Sequence, residues 1–380
     1  MTFIEGAAGQ VPLLLVVALA AGAISFLLTP IVRDRAVGSG QVDRPNHRRV
    51  NLSPVPRGGG IAIAAGFLIV ATGLFVADQV LRIIPLTFPL GSGQLVALLG
   101  GGAAAAALGA LDDRYDLRAR WQLLGQVGLA LGAVWLGIGV AGINNPFGQG
   151  RIPFDELFAA GFTVLWIVGM INSINFIDGL AGLSTGIAII AAFTLGAISL
   201  TTQIGQPLIA VLCFTLAGSL AGFLRWNFNP ASIFTGTAGV TFVGYTLAIL
   251  AILGVAKIAV AVLVLGVPII DTFWIIVRRM LAGRSPFTPD RGHLHHRLLD
   301  LGLSHRQTVL LIYGICAALG VLSFVLSGAN QVYAFLGVLL GTGVLLFAFT
   351  RGGSAAEAAG ALASDTYEVA EGDDALHDHR

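Results

Sequence analysis

Two adjacent carboxylates, Asp112 and Asp113, stand where a long apolar run of the sequence ends. A carboxylate at the edge of an apolar segment is costly unless it binds something. One of the pair could hold Mg²⁺, a hard cation that prefers oxygen ligands and keeps contacts to waters and substrate phosphates. The other could accept a proton. A solvated helix end beside the arginines that follow is the alternative interpretation.

A second polar group lies between two apolar runs, in the segment Asn172-Ser-Ile-Asn175-Phe-Ile-Asp178. Asn172 and Asn175 are three residues apart, so they share one face of a helix, and Asp178 extends the row. Three polar side chains on one face indicate a binding site. A polar seam between packed helices is the alternative.

Three of the seven histidines of the chain, His293, His295 and His296, fall within four residues. Imidazole suits Zn²⁺, but no cysteine is near and arginines flank the group. Because the same segment carries Asp290 and Arg291, a cationic cradle for a diphosphate fits the pattern better than a zinc site. A polar loop with incidental histidines is the simpler alternative.

Two glycine-rich segments accompany these groups. Arg57 is followed by three glycines at 58–60, and a helix that starts after such a sequence suits an anion such as phosphate. A basic membrane anchor with turn residues would look the same. The second segment comprises the polar residues 225–230 and then 233–239, where Gly236 and Gly239 lie among small hydroxyl residues. It permits close approach of a ligand or a plain re-entrant turn.

The composition predicts what must position these groups. Of the 380 residues, 56% are hydrophobic and only 11% are charged, and the mean hydropathy is +0.86. Soluble domains carry about 25% charged residues, whereas a run of about 20 apolar residues spans a bilayer. We therefore expect an all-α, polytopic membrane helix bundle with about eleven transmembrane helices. The apolar runs are 11–32, 59–76, 95–111, 123–143, 157–171, 183–200, 208–224, 240–255, 258–277, 309–326 and 332–349.

The basic residues predict the orientation of this bundle. With eleven spans, 18 of the 21 lysines and arginines fall on one side, and only Arg82, Arg151 and Lys257 fall on the other. The side rich in basic residues is expected to be cytoplasmic. The N-terminus is then outside and the C-terminus is inside. All five polar segments lie on the cytoplasmic side.

Three further features of the sequence limit the possible functions. Residues 352–380 carry seven acidic residues among alanines and glycines, so we expect a disordered cytoplasmic tail after a membrane domain at 1–351. The net charge of +1 suggests no nucleic-acid partner. Cys213 and Cys316 both lie in apolar runs and are expected to be buried, without a disulfide or a thiolate metal site.

Four motifs follow one another along the chain: Asp43-Arg-Pro-Asn, Leu111-Asp-Asp-Arg-Tyr-Asp-Leu, Asn172-x-x-Asn-Phe-Ile-Asp-Gly and Pro289-Asp-Arg-Gly-His-Leu-His-His. In this order they resemble the polyprenyl-phosphate N-acetylhexosamine-1-phosphate transferases (glycosyltransferase family 4), over about 43–302. The His-x-His-His form is similar to the branch that uses UDP-N-acetylglucosamine. The resemblance implies transfer of a sugar-1-phosphate from a UDP-sugar to undecaprenyl or decaprenyl phosphate, with release of UMP, in cell-envelope glycan synthesis.

The resemblance also implies roles for individual residues. Asp112 and Asp113 match the paired aspartates that handle the lipid phosphate and the metal or diphosphate, and Asp178 matches a third catalytic carboxylate. The metal, Mg²⁺ or Mn²⁺, is expected at Asp113, Asn175 and Asp178. The partners are UDP-sugar and polyprenyl phosphate, with a homodimer left open, in the cell membrane with the site on its cytoplasmic face. The expected substrate-binding residues are Arg57, Asn172, Asn175, Asp290, Arg291, His293, His295 and His296.

Four positions depart from the family pattern. Asn51 stands for a usual His, Gln122 for a common Lys, and Ala181 and Thr237 each stand for an Asp. A neutral hydroxyl is a poorer Mg²⁺ ligand than a carboxylate. A degenerate homologue that binds UDP-sugar or lipid phosphate without efficient turnover is therefore the main alternative. A membrane transporter, with Asp271 on a proton path, is the third.

Overall fold

The computed structural model describes residues 7–43, 54–81, 90–145, 150–201, 204–254, 257–281, 283, 293–326, 330–331, 333–341 and 343–344. The site candidates Asp290 and Arg291, the position Asn51 and the predicted tail at 352–380 lie outside these ranges. Predictions about them stay predictions.

The described chain is a bundle of α-helices with two small antiparallel hairpins. The strands are β1 Val42–Asp43 paired with β2 Val55–Pro56, and β3 Gly142–Asn144 paired with β4 Arg151–Pro153. A further helical stretch lies within 330–344. The helices are α1 Ala7–Gly38, α2 Gly60–Leu81, α3 Ser92–Tyr115, α4 Ala119–Trp135, α5 Glu156–Ile177, α6 Leu183–Ser199, α7 Pro207–Asn227, α8 Gly236–Leu253, α9 Lys257–Val264, α10 Gly266–Leu281, α11 Leu294–Asp300 and α12 His305–Val325.

The all-α membrane bundle predicted from composition is confirmed. Among the described residues, seven helices are long and apolar enough to cross a membrane, and an eighth span results if α9 and α10 are counted together. The shorter α6 is also apolar. Each of the eleven predicted apolar runs coincides at least in part with helix. The number of eleven spans and the sides of the two termini stay predictions.

Two predicted runs differ in detail from the structure. The run at 123–143 is helical only to Trp135, because Gly137 takes a left-handed φ of 86° that ends the helix, as glycine commonly does at this position. The run at 258–277 forms two helices, α9 and α10, which meet at a bend of 76°. The apolar pattern is the same on both sides of such a break, so the pattern alone does not reveal it.

The core of the bundle lies around α7 and α8. In the apolar stretch of α8, 83% is buried inside the protein, and in that of α7 72% is buried. In the apolar stretch of α1 only 22% is buried. Helix α7 packs against α1 and α6, and α8 packs against α3 and α5. The outer helices therefore offer apolar side chains to lipid while α7 and α8 are surrounded by protein.

Glycines allow the closest helix contacts beside the polar end of the bundle. An added Cβ at Gly109 in α3 would overlap the carbonyl of Thr237, and one at Gly60 in α2 would overlap the backbone of Gly239. Small residues that let helix backbones approach are typical of membrane bundles. These contacts bring the ends of α2, α3 and α8 together.

Candidate active site

The polar groups predicted from sequence collect at one end of the bundle. Asp112 and Asp113 lie in the last turn of α3, Asp178 caps the end of α5, and Thr237 lies in the first turn of α8. Arg151, predicted on the opposite side, lies just before α5 begins. Helix α5 has 22 residues, which is about 33 Å at 1.5 Å per residue. The structure therefore separates Arg151 from the carboxylates by roughly a bilayer core.

Asp113 ties α3 to the start of α8. Its Oδ1 accepts a hydrogen bond from the backbone N–H of Thr237 at 2.8 Å, and its Oδ2 accepts one from Ala238 at 3.0 Å. Backbone N–H groups at a helix start lack partners within the helix, and a negative charge there is favourable. Both oxygens of Asp113 thus stabilise the fold, and each retains a lone pair for a further ligand.

Asp112 differs from Asp113, because both of its described side-chain hydrogen bonds end on one carboxylate oxygen. Its Oδ1 accepts hydrogen bonds from the backbone N–H of Leu117 at 2.9 Å and from Nε2 of Gln122 at 2.7 Å. Gln122 also donates to the carbonyl of Leu117 at 3.0 Å. Among the described residues, Oδ2 of Asp112 has no such donor, so this oxygen can face a ligand. Gln122, at the position where the family resemblance has Lys, supplies a neutral donor to Asp112.

Asp178 lies directly after α5 and is half-buried. The hydroxyl of Ser184 donates to its Oδ1. Burial raises the pKa of Asp178 to about 7; the Asp113 charge also raises it, whereas the hydroxyls of Ser184 and Thr235 and the charge of Arg57 lower it. A carboxylate that burial makes reluctant to ionise is one that a nearby cation would stabilise in its charged form.

Asn227, which the sequence did not single out as a site residue, orders the loop after Asp178. Its Oδ1 accepts hydrogen bonds from Gly182 N–H at 3.0 Å and from the Thr185 hydroxyl at 2.9 Å. Its Nδ2 donates to the carbonyl of Ile233 at 3.1 Å. Asn227 therefore joins the start of α6 to the segment before α8. The signal available in the sequence was the polar segment 225–230, which contains Asn227 and follows the apolar run 208–224.

Arg57 reaches the same end of the bundle from the first hairpin. Its Nη2 pairs with Oδ1 of Asp43 at 2.9 Å, across the β1–β2 pairing. Beside it, the N–H groups of Gly59 and Gly60 donate to the carbonyls of Phe234 and Thr235 at 3.0 and 2.8 Å. The two glycine-rich segments predicted from sequence are thus in direct contact. Arg57 is partly exposed and supplies positive charge beside the carboxylates.

Asn172 and Asn175, the two asparagines of the predicted row, lie in different surroundings. Nδ2 of Asn172 donates to Oε1 of the buried Gln126 at 2.6 Å and to the carbonyl of Val168 at 2.8 Å. Asn172 therefore serves a polar seam between α4 and α5, which was the alternative interpretation of this row. Asn175, one turn nearer to Asp178, is half-buried and lies at the end of α5.

The histidine segment packs onto the carboxylate loop. His295 is 1% exposed, and an added Cβ on Gly179, the residue after Asp178, would overlap its Nε2. Burial lowers the pKa of His295, and the charges of the neighbouring histidines lower it further. The rings of His293 and His295 are stacked at 5.5 Å, and His296 lies 4.4 Å from His295. The structure thus places this segment beside Asp178.

The side chains at this end of the bundle include candidate ligands for a divalent cation. Within the described residues, no group of three or more His, Cys, Asp or Glu side chains has the geometry of a metal centre. Mg²⁺ needs fewer protein ligands, since it keeps waters and binds through one or two carboxylates plus substrate phosphates. The half-buried carboxylate of Asp178, whose pKa is raised, is the group that best fits such a site. Thr237 faces Asp113 with a backbone N–H and brings no carboxylate.

Comparison with known proteins places this arrangement in a family. The family model described as "Glycosyl transferase family 4" matches residues 95–255, the segment that carries Asp112, Asp113, Asp178 and the start of α8. A relative from Bacillus subtilis (strain 168), named "Probable undecaprenyl-phosphate N-acetylglucosaminyl 1-phosphate transferase", is 37% identical over 80% of this chain and 82% of its own length. The chain belongs to glycosyl transferase family 4.

Two other relatives are similar to this chain over comparable shares of its length. A "Decaprenyl-phosphate N-acetylglucosaminephosphotransferase" from Mycolicibacterium smegmatis is 35% identical over 86% of this chain and 86% of its own length. An "Undecaprenyl-phosphate alpha-N-acetylglucosaminyl 1-phosphate transferase" from Escherichia coli (strain K12) is 28% identical over 78% of this chain and 82% of its own length. Together with the apolar helices, family 4 membership makes the chain a multi-pass membrane protein.

Proposed function

We propose that this chain transfers N-acetylglucosamine-1-phosphate from UDP-N-acetylglucosamine to undecaprenyl or decaprenyl phosphate and releases UMP. The observation that carries the proposal is the meeting of Asp112, Asp113, Asp178 and His295 at one end of a membrane bundle. The printed names of the relatives supply the substrates. A site at the bilayer edge suits one lipid substrate and one water-soluble substrate.

The bond changes follow from the substrates. An oxygen of the lipid phosphate attacks the β-phosphorus of the UDP-sugar, the one that carries the sugar. The bond from that phosphorus to the bridging oxygen breaks, and UMP takes the bridging oxygen with its electron pair. Such transfers depend mainly on positioning and on stabilising the developing charge.

The residues of this chain divide these tasks. Asp112 orients the lipid phosphate through Oδ2, the oxygen that the described residues leave open. A phosphate monoester with a second pKa near 6 is already mostly dianionic at pH 7, so Asp112 need not be a strong base. Arg57 and His295 face the diphosphate, and Asp178, with Asn175 and Asp113 beside it, would hold Mg²⁺ or Mn²⁺. The bound cation neutralises charge on the diphosphate.

The basic residues support a cytoplasmic site in the cell membrane. Of 21 lysines and arginines, 18 fall on the predicted inner side, and Asp112, Asp113 and Asp178 lie at the bundle end opposite Arg151. UDP-sugars are soluble donors, which is consistent with a cytoplasmic site. A homodimer is left open.

A degenerate binding protein is the second candidate, and the contacts of two neutral residues favour it. Gln122 donates to Asp112, and Thr237 contacts Asp113 through its backbone, at positions where the family resemblance has Lys and Asp. Such a protein would bind UDP-sugar without turnover. A transporter is less well supported, because both oxygens of Asp271 are held by hydrogen bonds.

The experiment is incubation of the purified full chain with labelled UDP-N-acetylglucosamine, undecaprenyl phosphate and Mg²⁺. The proposal expects stoichiometric UMP and a labelled lipid product. Binding of UDP-N-acetylglucosamine without either product, with turnover appearing in Thr237→Asp, would favour the degenerate binder. Solute flux into vesicles without chemical change would favour the transporter.

A further inference from the structure

Asp271, a buried carboxylate in the bent helix pair α9 and α10, has a hydrogen-bond partner that the sequence motifs do not predict. Asp271 lies in α10 and is 2% exposed. Ionisable residues inside membrane segments are costly and are usually paired. The partners of Asp271 come from a segment more than twenty residues later, the start of the histidine turn, which we define as residues 293–296.

Both oxygens of Asp271 are used in this contact. Oδ2 lies 2.8 Å from Nδ1 of His293, and Oδ1 accepts a hydrogen bond from the backbone N–H of Leu294 at 2.9 Å. His293 is itself buried. An ionised carboxylate only accepts hydrogen bonds, so Nδ1 of His293 must carry the hydrogen. Nε2 is then the ring nitrogen that can accept from, or when protonated donate to, a ligand.

The contact extends from His293 to the carboxylate loop. The His293 ring lies 5.5 Å from the His295 ring with an angle of 12° between their planes, and it lies 6.0 Å from the ring of Phe176 at the end of α5. His295 in turn packs against Gly179, next to Asp178. Asp271 therefore sits behind a continuous stack that ends at the proposed diphosphate site.

We propose that Asp271 is a positioning residue, which sets the tautomer of His293 and anchors the histidine turn over Asp178. Its part in turnover rests on the proposed function, whereas the tautomer does not. The arrangement is the one in which a carboxylate behind a histidine fixes the orientation and the tautomer of the ring. It also gives Asp271 a role other than a proton path.

The decisive variant is Asp271→Asn, which keeps the shape of the side chain. Its oxygen would stay with Leu294 N–H, which needs an acceptor, and its NH₂ would then face Nδ1 of His293. An NH₂ group donates, so Nδ1 must become the acceptor and the hydrogen must move to Nε2. The matched control is Asp300→Asn, the same change at an exposed residue at the end of α11.

The first readout is ¹⁵N NMR of the seven labelled histidines in the full chain in detergent, with His293 assigned by its loss in His293→Ala. We expect the Nδ1–H tautomer in the wild type and in Asp300→Asn, and the Nε2–H tautomer in Asp271→Asn. A wild-type His293 with its hydrogen on Nε2 would overturn the proposal, and this spectrum decides even if Asp271→Asn does not fold.

The second readout is kinetic. Asp271→Asn should lower kcat/KM for UDP-N-acetylglucosamine about 10- to 100-fold, as loss of a carboxylate behind a functional histidine does, and leave KM for the lipid phosphate unchanged. In a His293→Ala background, Asp271→Asn should lower kcat/KM for UDP-N-acetylglucosamine by less than about twofold. The reason is that substitutions of residues that act through one another do not have additive effects. Equal losses in both backgrounds would show a merely structural role. If the wild type has no turnover, the proposed function fails, and the tautomer measurement still decides the role of Asp271.

Discussion

The two adjacent aspartates differ in what they contribute to stability, and this difference gives a quantitative prediction. Asp113 uses both oxygens to hold the start of α8, whereas both hydrogen bonds to Asp112 end on Oδ1. An asparagine at 112 can keep its oxygen at the Oδ1 position and retain both bonds. An asparagine at 113 must turn its NH₂ toward one of the two backbone N–H groups.

The magnitudes follow from these contacts. In Asp112→Asn, two charged hydrogen bonds become neutral ones, which costs about 1 kcal/mol each and roughly 2 kcal/mol in all. In Asp113→Asn, one bond is weakened by about 1 kcal/mol and the other is lost, at roughly 1.5–3 kcal/mol. Loss of negative charge at the start of α8 adds about 0.3–1 kcal/mol. Asp113→Asn should therefore lower the free energy of unfolding by roughly 3–5 kcal/mol.

The assay is thermal unfolding of the purified variants in one detergent, together with UMP release. At about 2 °C per kcal/mol for a chain of this size, Asp113→Asn should melt several degrees below Asp112→Asn. Asp112→Asn should lose UMP release while keeping most of its stability. Equal melting temperatures for the two variants, or a lower one for Asp112→Asn, would refute the reasoning from the hydrogen bonds.

Four further predictions follow from the site and its surroundings. Excess chelator should abolish UMP release and Mg²⁺ or Mn²⁺ should restore it, since the diphosphate needs a counter-charge; full turnover in chelator would contradict this. His295→Ala should raise KM for UDP-N-acetylglucosamine or lower kcat by on the order of tenfold to a hundredfold, and metal analysis should find no stoichiometric zinc. Gly109→Ala should lower the melting temperature because its Cβ would overlap the Thr237 carbonyl, whereas Gly128→Ala, with nothing within 4 Å, is the matched control and should not. Truncation after Gly352 should leave insertion and activity intact, and a truncated chain that fails to insert would contradict the prediction of a dispensable tail.

Much of the fold could be predicted because a lipid bilayer permits few backbone structures. Backbone groups in a bilayer must be paired within the segment, so apolar runs become helices, and the runs at 11–32 and 208–224 correspond to α1 and α7. The positions of helix ends depend on local conformation instead. The left-handed Gly137 that ends α4 and the bend between α9 and α10 leave no trace in hydropathy.

The sequence draws attention to candidate site residues where charge is costly, but it does not predict contacts between residues that are distant in sequence. Asp112, Asp113 and Asp178 stand out because carboxylates at the edges of apolar runs need a reason to be there. Asn227 was not predicted as a site residue, and Asp271 was considered only on the proton path of a transporter, because their hydrogen bonds reach residues 22 to 45 positions away. Substrate binding by Asn172 stays a prediction, whereas the hydrogen bond from its amide to Gln126, 46 residues earlier, was not predicted.

In the proposed reaction a phosphosugar, and not the sugar alone, moves to the lipid. The most direct measurement uses UDP-N-acetylglucosamine labelled with ³²P at the β-phosphate, incubated with the purified chain, undecaprenyl phosphate and Mg²⁺. The proposed reaction predicts that the label appears in the lipid product while the released UMP is unlabelled. Label recovered in UDP together with sugar on the lipid, or label that stays in the donor while the protein binds it, would contradict the account.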